Sequence, residues 1–213
     1  NAAEAFAQHL EHAVPSADAL SGLAVARFEA CDIPGAIAAG RAAVKEFPDL
    51  AEAHYTLALA LERSRGAATA AANHFAAAQS LDPEAYPWPM PLDDGTLEEA
   101  LLEALRAIPR PLARFWSGVP MRLEDQPTLE ELRRGPVPIP PTVAGMYEGR
   151  PPDLEQGPEQ AFEQRPTALR LFRRNLSRCG DLDQVIDQLE DLLVQEALDW
   201  IGLPLEAFDG PEA

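Results

Sequence analysis

Histidine is confined to the first part of the chain. The four copies are His9, His12, His54 and His74, so nothing beyond position 74 carries an imidazole. This removes from the longer part of the chain the side chain most used both for zinc ligation and for proton transfer near neutral pH. Cysteine is almost absent: Cys31 and Cys179 lie far apart in no metal-ligand spacing. That excludes a disulfide framework and favours isolated thiols in a reducing cytoplasm. Positive charge is scarce, with 17 Lys and Arg against 35 Asp and Glu and a formal net charge of −18. Nucleic acid and anionic lipid both gain affinity from neutralised phosphate, so neither is an expected partner. The charge is read chiefly as a source of solubility. No apolar run approaches the roughly 18 residues that cross a bilayer. The chain begins at Asn1 rather than Met, which suggests a fragment, so the lack of a targeting signal here says little. G-x-S-x-G, P-loop and G-x-G-x-x-G motifs are also missing.

What is present first is a repeat. Prolines recur at Pro15, Pro48 and Pro83, each closing a helical stretch. Aligned on them, Leu20, Leu23, Ala24, Ala36 and Ala43 match His54, Leu57, Ala58, Ala71 and Ala78, with one extra residue in the turn around Gly66. Alanine at these steps lets two helices approach closely. Ala17–Pro48 and Leu50–Pro83 therefore read as helical hairpins, preceded by the second helix of an earlier unit. A period of about 34 residues with a closing proline resembles the tetratricopeptide pattern, which implies a surface for a peptide or protein. Arg27 stands where that pattern has a large apolar residue. His9 and His12 are one turn apart, but with no third ligand nearby they read as solvated.

A proline-rich stretch then ends the helical region, with Tyr86, Trp88 and Met90 expected to pack at a junction. Thr96 and Glu99 read as the capping box of a helix that stops at Pro109. Val119, Met121 and Leu123 alternate as a short strand, and Thr167–Phe172 reads as a second. Pro127–Leu132 holds about one helical turn. Short extended pieces are expected near Val143 and Met146–Tyr147, and a mobile polar loop over Asp153–Arg165. Arg165, Arg170, Arg173, Arg174 and Arg178 form a basic cluster expected to balance an acidic helix.

That helix, Asp183–Gly202, organises the second half. Val185, Ile186, Leu189, Leu192, Leu193, Glu196 and Trp200 recur at three- and four-residue steps, one buried face. Its end reads Gln195-Glu196-x-x-Asp199. A zinc peptidase helix has H-E-x-x-H, two histidines one turn apart on the metal and a glutamate that activates water. Here the glutamate is in place and both histidines are replaced.

Five marks stand in order along this half: Ile108-Pro109-x-x-Leu112-x-x-Phe115; Leu123-Glu124-Asp125-x-Pro127; Tyr147-Glu148-Gly149-x-Pro151; Ala168–Arg173; and the long helix ending in Gly202. On these marks residues 97–210 resemble a bacterial family of minimal zincin-like metallopeptidases, in which Ala168–Arg173 takes the place of the family's edge strand. The family helix reads H-E-x-x-H-x-x-G-x-x-D. Carried onto this chain, its ligand positions hold Gln195, Asp199 and Leu205, and Glu196 stands where the general base should be. The resemblance also implies a cleft beside Tyr147, Glu148, Leu169, Leu171 and Phe172.

The expected fold is mainly α: tetratricopeptide-like hairpins over 1–86, a proline-rich linker over 87–96, and a small α+β zincin-like domain over 97–213. That domain should carry a short sheet and the long motif helix. Glutamine is a poor metal ligand and leucine is none. Without a metal, Glu196 would face a water far too weakly acidic for it to deprotonate. The expected function is thus binding of a protein or peptide, through the repeats and the vestigial cleft, with no cofactor. The alternative is a divergent peptidase in which Glu196 is the base and Asp199 with Glu206 hold a metal. Zinc, or a harder cation such as Mg, Ca or Mn, enters only under that alternative.

Overall fold

Small residues at three- and four-residue steps become helices throughout the first part of the chain. The computed structural model describes residues 2–12, 16–153 and 158–208, leaving aside the side chains of 9–12, 158–160 and 206. The expectations placed on Pro15 and on the side chains of His9, His12 and Glu206 lie outside the described residues, as does the 154–157 part of the expected polar loop.

In chain order the elements begin with α1 (Ala2–His12), α2 (Ala17–Glu29), α3 (Ile33–Glu46), α4 (Ala51–Glu62) and α5 (Ala68–Leu81). Next come α6 (Asp94–Ala107), α7 (Arg110–Trp116), β1 (Met121–Glu124), α8 (Leu129–Leu132) and β2 (Gly145–Glu148). The chain ends with α9 (Pro158–Glu163), β3 (Ala168–Phe172), α10 (Arg173–Leu176) and α11 (Leu182–Ile201), with 3-10 turns at Ser177–Cys179 and Leu205–Phe208. Two compact units result: Asn1–Trp88 with Pro127–Pro141, and Pro89–Gln126 with Thr142–Ala213.

The first unit carries the two expected hairpins, α2–α3 and α4–α5, with α1 packed on α2. Ser16 caps α2 by accepting from the Ala19 amide at 3.2 Å, and Asp32 caps α3 from Gly35 at 3.0 Å. Pro48 and Pro83 each follow a helix C-cap, Phe47 and Asp82. The extra residue of the second hairpin falls at Gly66, whose φ is +79°. Ala24, Ala36, Ala43, Ala53, Ala58, Ala60 and Ala78 are all fully buried. α3 and α4 cross closely at Gly40, where an added Cβ would lie 3.1 Å from the Leu57 Cβ. Tyr86 packs on Tyr55 with ring centroids 4.7 Å apart. His54 Nδ1 lies 3.0 Å from His74 Nδ1, and burial followed by the His54 charge lowers the His74 pKa.

The segment Pro127–Pro141 also belongs to this unit. Arg63 holds both of its ends, donating to Pro127 O at 2.7 Å and to Pro141 O at 2.6 Å. Arg133 donates to Cys31 O, and Leu129 packs on the cluster of Phe28, Ile33 and Leu59. α8 has the full capping box, Thr128 with Glu131.

The second unit is built on one core: Leu112, Phe115, Trp116, Leu169, Leu171, Leu189, Leu193 and Trp200 in a single cluster, with Met90 packed against it. Trp88 is 58% exposed. The sheet has the order β1-β3-β2, with β1 parallel and β2 antiparallel to β3. Ala168–Phe172 is therefore the middle strand, not an edge strand, because both of its sides are paired. The helix expected from Thr96 starts earlier: Asp93 caps it, accepting from the Thr96 amide at 2.8 Å. The expected polar loop over Asp153–Arg165 contains α9, since Ala161 is buried and Phe162 packs edge-on to Phe115 at 5.6 Å. Two apolar residues one after the other were enough to anchor a short helix in a polar run. The basic cluster is dispersed: Arg170 pairs with Glu124 in β1, Arg173 bonds Leu92 O, and Arg178 bonds Asn175.

Candidate functional site

α11 is set at both ends by its own sequence. Asp181 caps it, accepting from Gln184 N at 2.8 Å, and Gly202 ends it in the left-handed conformation at φ +73°, with its amide on Leu198 O. Between these caps Val185, Leu189, Leu192, Leu193, Ala197, Trp200 and Ile201 are buried. The helix lies close against β2. A Cβ at Gly145 would sit 2.7 Å from Leu192 Cδ2 and 2.6 Å from Arg170 O. Gly149 has φ +127°, and a Cβ there would meet the Trp200 ring at 3.0 Å. The glycine of the Tyr-Glu-Gly-x-Pro segment is thus required by the tryptophan that closes over it. Tyr147 meets the same tryptophan edge-on at 5.0 Å, and the Trp200 indole donates to Gln164 O.

Glu196 reaches β2 from this helix. Tyr147 lies opposite Leu169, while three pairs along the ladder the Phe172 amide bonds Ala144 O. Tyr147 is thus at a non-hydrogen-bonded position and its amide points away from β3. It donates instead to Glu196 Oε2 at 3.0 Å. Burial pushes the Glu196 carboxyl up to about 7, the Tyr147 amide pulls it back, and Asp199 raises it further. The Tyr147 phenol is raised as well, by burial and then by Glu196 and Asp199.

Of the other motif positions, Asp199 is near enough to act on Glu196 through its charge. Gln195 and Asp199 are exposed on α11, and Leu205 lies in the 3-10 turn beyond Gly202, 39% exposed. No three His, Cys, Asp or Glu side chains are grouped to hold a metal ion among the described residues.

The residues expected to form a cleft divide between two faces of the sheet. Leu169 and Leu171 are buried in the core under α11, and Phe172 is buried on the opposite face beneath the Arg170 guanidinium, 5.4 Å from its ring centroid. Glu148 pairs with Arg122 at 3.0 Å and with Arg170 at 3.6 Å. Tyr147 is half-buried against Trp200. A recess of about 340 Å³ does open in this unit, between α6 and β1, lined by Leu97, Leu101, Met121 and Leu123, and of the five expected residues it touches only Leu171.

Residues 116–208 match the family model of a zincin-like metallopeptidase. The match takes in β1, the whole sheet and the motif helix. No curated protein matches the chain.

Zinc does not fit the donors that this site presents. Catalytic zinc takes three protein ligands from imidazole, thiolate or carboxylate at about 2.0–2.3 Å. The aligned positions offer an amide, one exposed carboxylate and a leucine. Glu196 turns its oxygen to a backbone amide. What the arrangement does chemically is hold the β2 edge: the carboxylate takes up an outward amide that an added strand would otherwise engage. Sequence spacing did not reveal this role, since a backbone donor leaves no mark in the residue pattern.

Proposed function

We propose that the chain is a binding protein: tetratricopeptide-like hairpins joined to a zincin-like domain that does not hydrolyse peptides. The observation that carries this reading is the engagement of Glu196 by the Tyr147 amide while Gln195 and Asp199 stand exposed. A general base must be able to reach the proton that it abstracts, and it depends on a metal to make water acidic enough. The hairpins supply the binding surface. Two free cysteines suit a reducing compartment, and no helix among the described residues is long and apolar enough to cross a membrane.

One observation favours the alternative of a divergent peptidase: a carboxyl pushed up to about 7 is poised for proton transfer at neutral pH. The two readings separate on cleavage of labelled casein with and without added zinc, manganese or calcium. Binding without Glu196-dependent cleavage is expected. Metal-dependent hydrolysis that disappears in Glu196→Gln would overturn the proposal.

A further inference from the structure

In the first unit carboxylates outnumber cations, yet four of its arginines converge on one groove of about 690 Å³. Its walls are the first half of α3, the turn after α4, and α8. Arg41, Arg65 and Arg133 are exposed there. Arg63 is half-buried and fixes the wall, because it holds Pro127 O and Pro141 O. Ile37, Leu61 and Leu129 form an apolar floor. No carboxylate lines the groove among the described residues.

We infer that this groove docks an acidic polypeptide segment. One apolar side chain rests on Ile37, Leu61 and Leu129, and flanking carboxylates face Arg41, Arg65 and Arg133. The inference rests on the reading of the chain as a binding protein and names the chemistry of its partner.

Charge complementarity selects the occupant. Guanidinium forks match carboxylates, and Arg41, Arg65 and Arg133 stand exposed around the apolar floor. The apolar floor argues for a side chain rather than a bare ion, and among the described residues no aromatic ring lines the groove on which a nucleic-acid base could stack. The net charge of −18 repels a long polyanion. A short peptide with a few carboxylates feels mainly the local arginines, since exposed charges are screened beyond about 8 Å at physiological salt.

The test uses the full chain and fluorescence anisotropy of a fluorescein-labelled peptide, Glu-Asp-Leu-Glu-Phe-Asp-Glu. Saturable binding that weakens with salt is expected, and Arg41→Glu with Arg65→Glu should weaken it about tenfold or more. Arg41→Gln with Arg65→Gln, a milder pair at exposed positions, should weaken it less, and circular dichroism checks the fold of both. Replacing Leu and Phe of the peptide by Ser should abolish binding, and inorganic phosphate should not compete. Equal affinity of the charge-reversed protein, equal binding of the Ser peptide, competition by phosphate or the absence of binding would each overturn the inference. Chromatography of the recovered peptide keeps the two readings apart. Cleaved peptide counts against the proposed function, whereas intact peptide bound independently of Arg41 and Arg65 counts against the groove alone.

Discussion

The two units reach stability by different routes. The hairpins are held by alanines at helix crossings, in several small clusters each of a few side chains. The second unit rests on one continuous core of leucines and aromatics, beside which the Glu196 carboxyl is partly buried. The difference teaches which perturbation each tolerates. Close crossings resist added volume, whereas a large-residue core resists lost volume.

The largest expected effect lies in the second unit. Phe115 is fully buried between Trp116 and Phe162, and Phe115→Ala should cost roughly 3–5 kcal/mol. Denaturant unfolding followed by tryptophan fluorescence would measure it, and a loss below about 1 kcal/mol would mean that the core is not the continuous unit described.

The units should also respond oppositely to pH. Glu196 is raised from 4.5 to about 7, so the folded state keeps a proton that the unfolded state releases in that window. Stability of the second unit should fall as pH rises from 4.5 through 7. Glu196→Gln should remove the penalty, worth at most about 3 kcal/mol above pH 7 and nothing below pH 4.5. His74 is lowered from 6.5, so the hairpins should instead lose stability as pH falls through that value. Parallel pH slopes for the two transitions in thermal melts would erase the contrast.

A smaller effect is expected from overfilling a crossing. Ala58→Leu adds volume at a fully buried α4 position and should cost about 1–3 kcal/mol, read in the helical circular dichroism of the hairpins. The smallest effect concerns an exposed cap. Asp181→Ala removes the acceptor for the Gln184 amide at the start of α11 and should cost about 1 kcal/mol in the same denaturant assay.

Legibility in the sequence followed the same division. The hairpins could be read from proline and alanine spacing because each contact there is local and repeated. α11 was legible from its period and its glycine stop. The middle position of β3 was not, because strand order depends on which backbones pair, and Ala-Leu-Arg-Leu-Phe reads alike at an edge or at the centre. The docking of Pro127–Pro141 on the hairpins was not legible either, since Arg63 holds it through two carbonyl groups. The place of Glu196 on the buried side of α11 could be read from the helical period. The turn of Glu196 toward the Tyr147 amide could not, because that donor is backbone.

The central proposal is that the zincin-like domain binds no metal at the end of α11. The melting temperature of the second unit, in protein purified without chelator and measured with excess zinc and then with EDTA, tests it most directly. The account predicts no shift between the two conditions. A marked rise with zinc that EDTA reverses would show a site that binds metal in the folded state, and would contradict it.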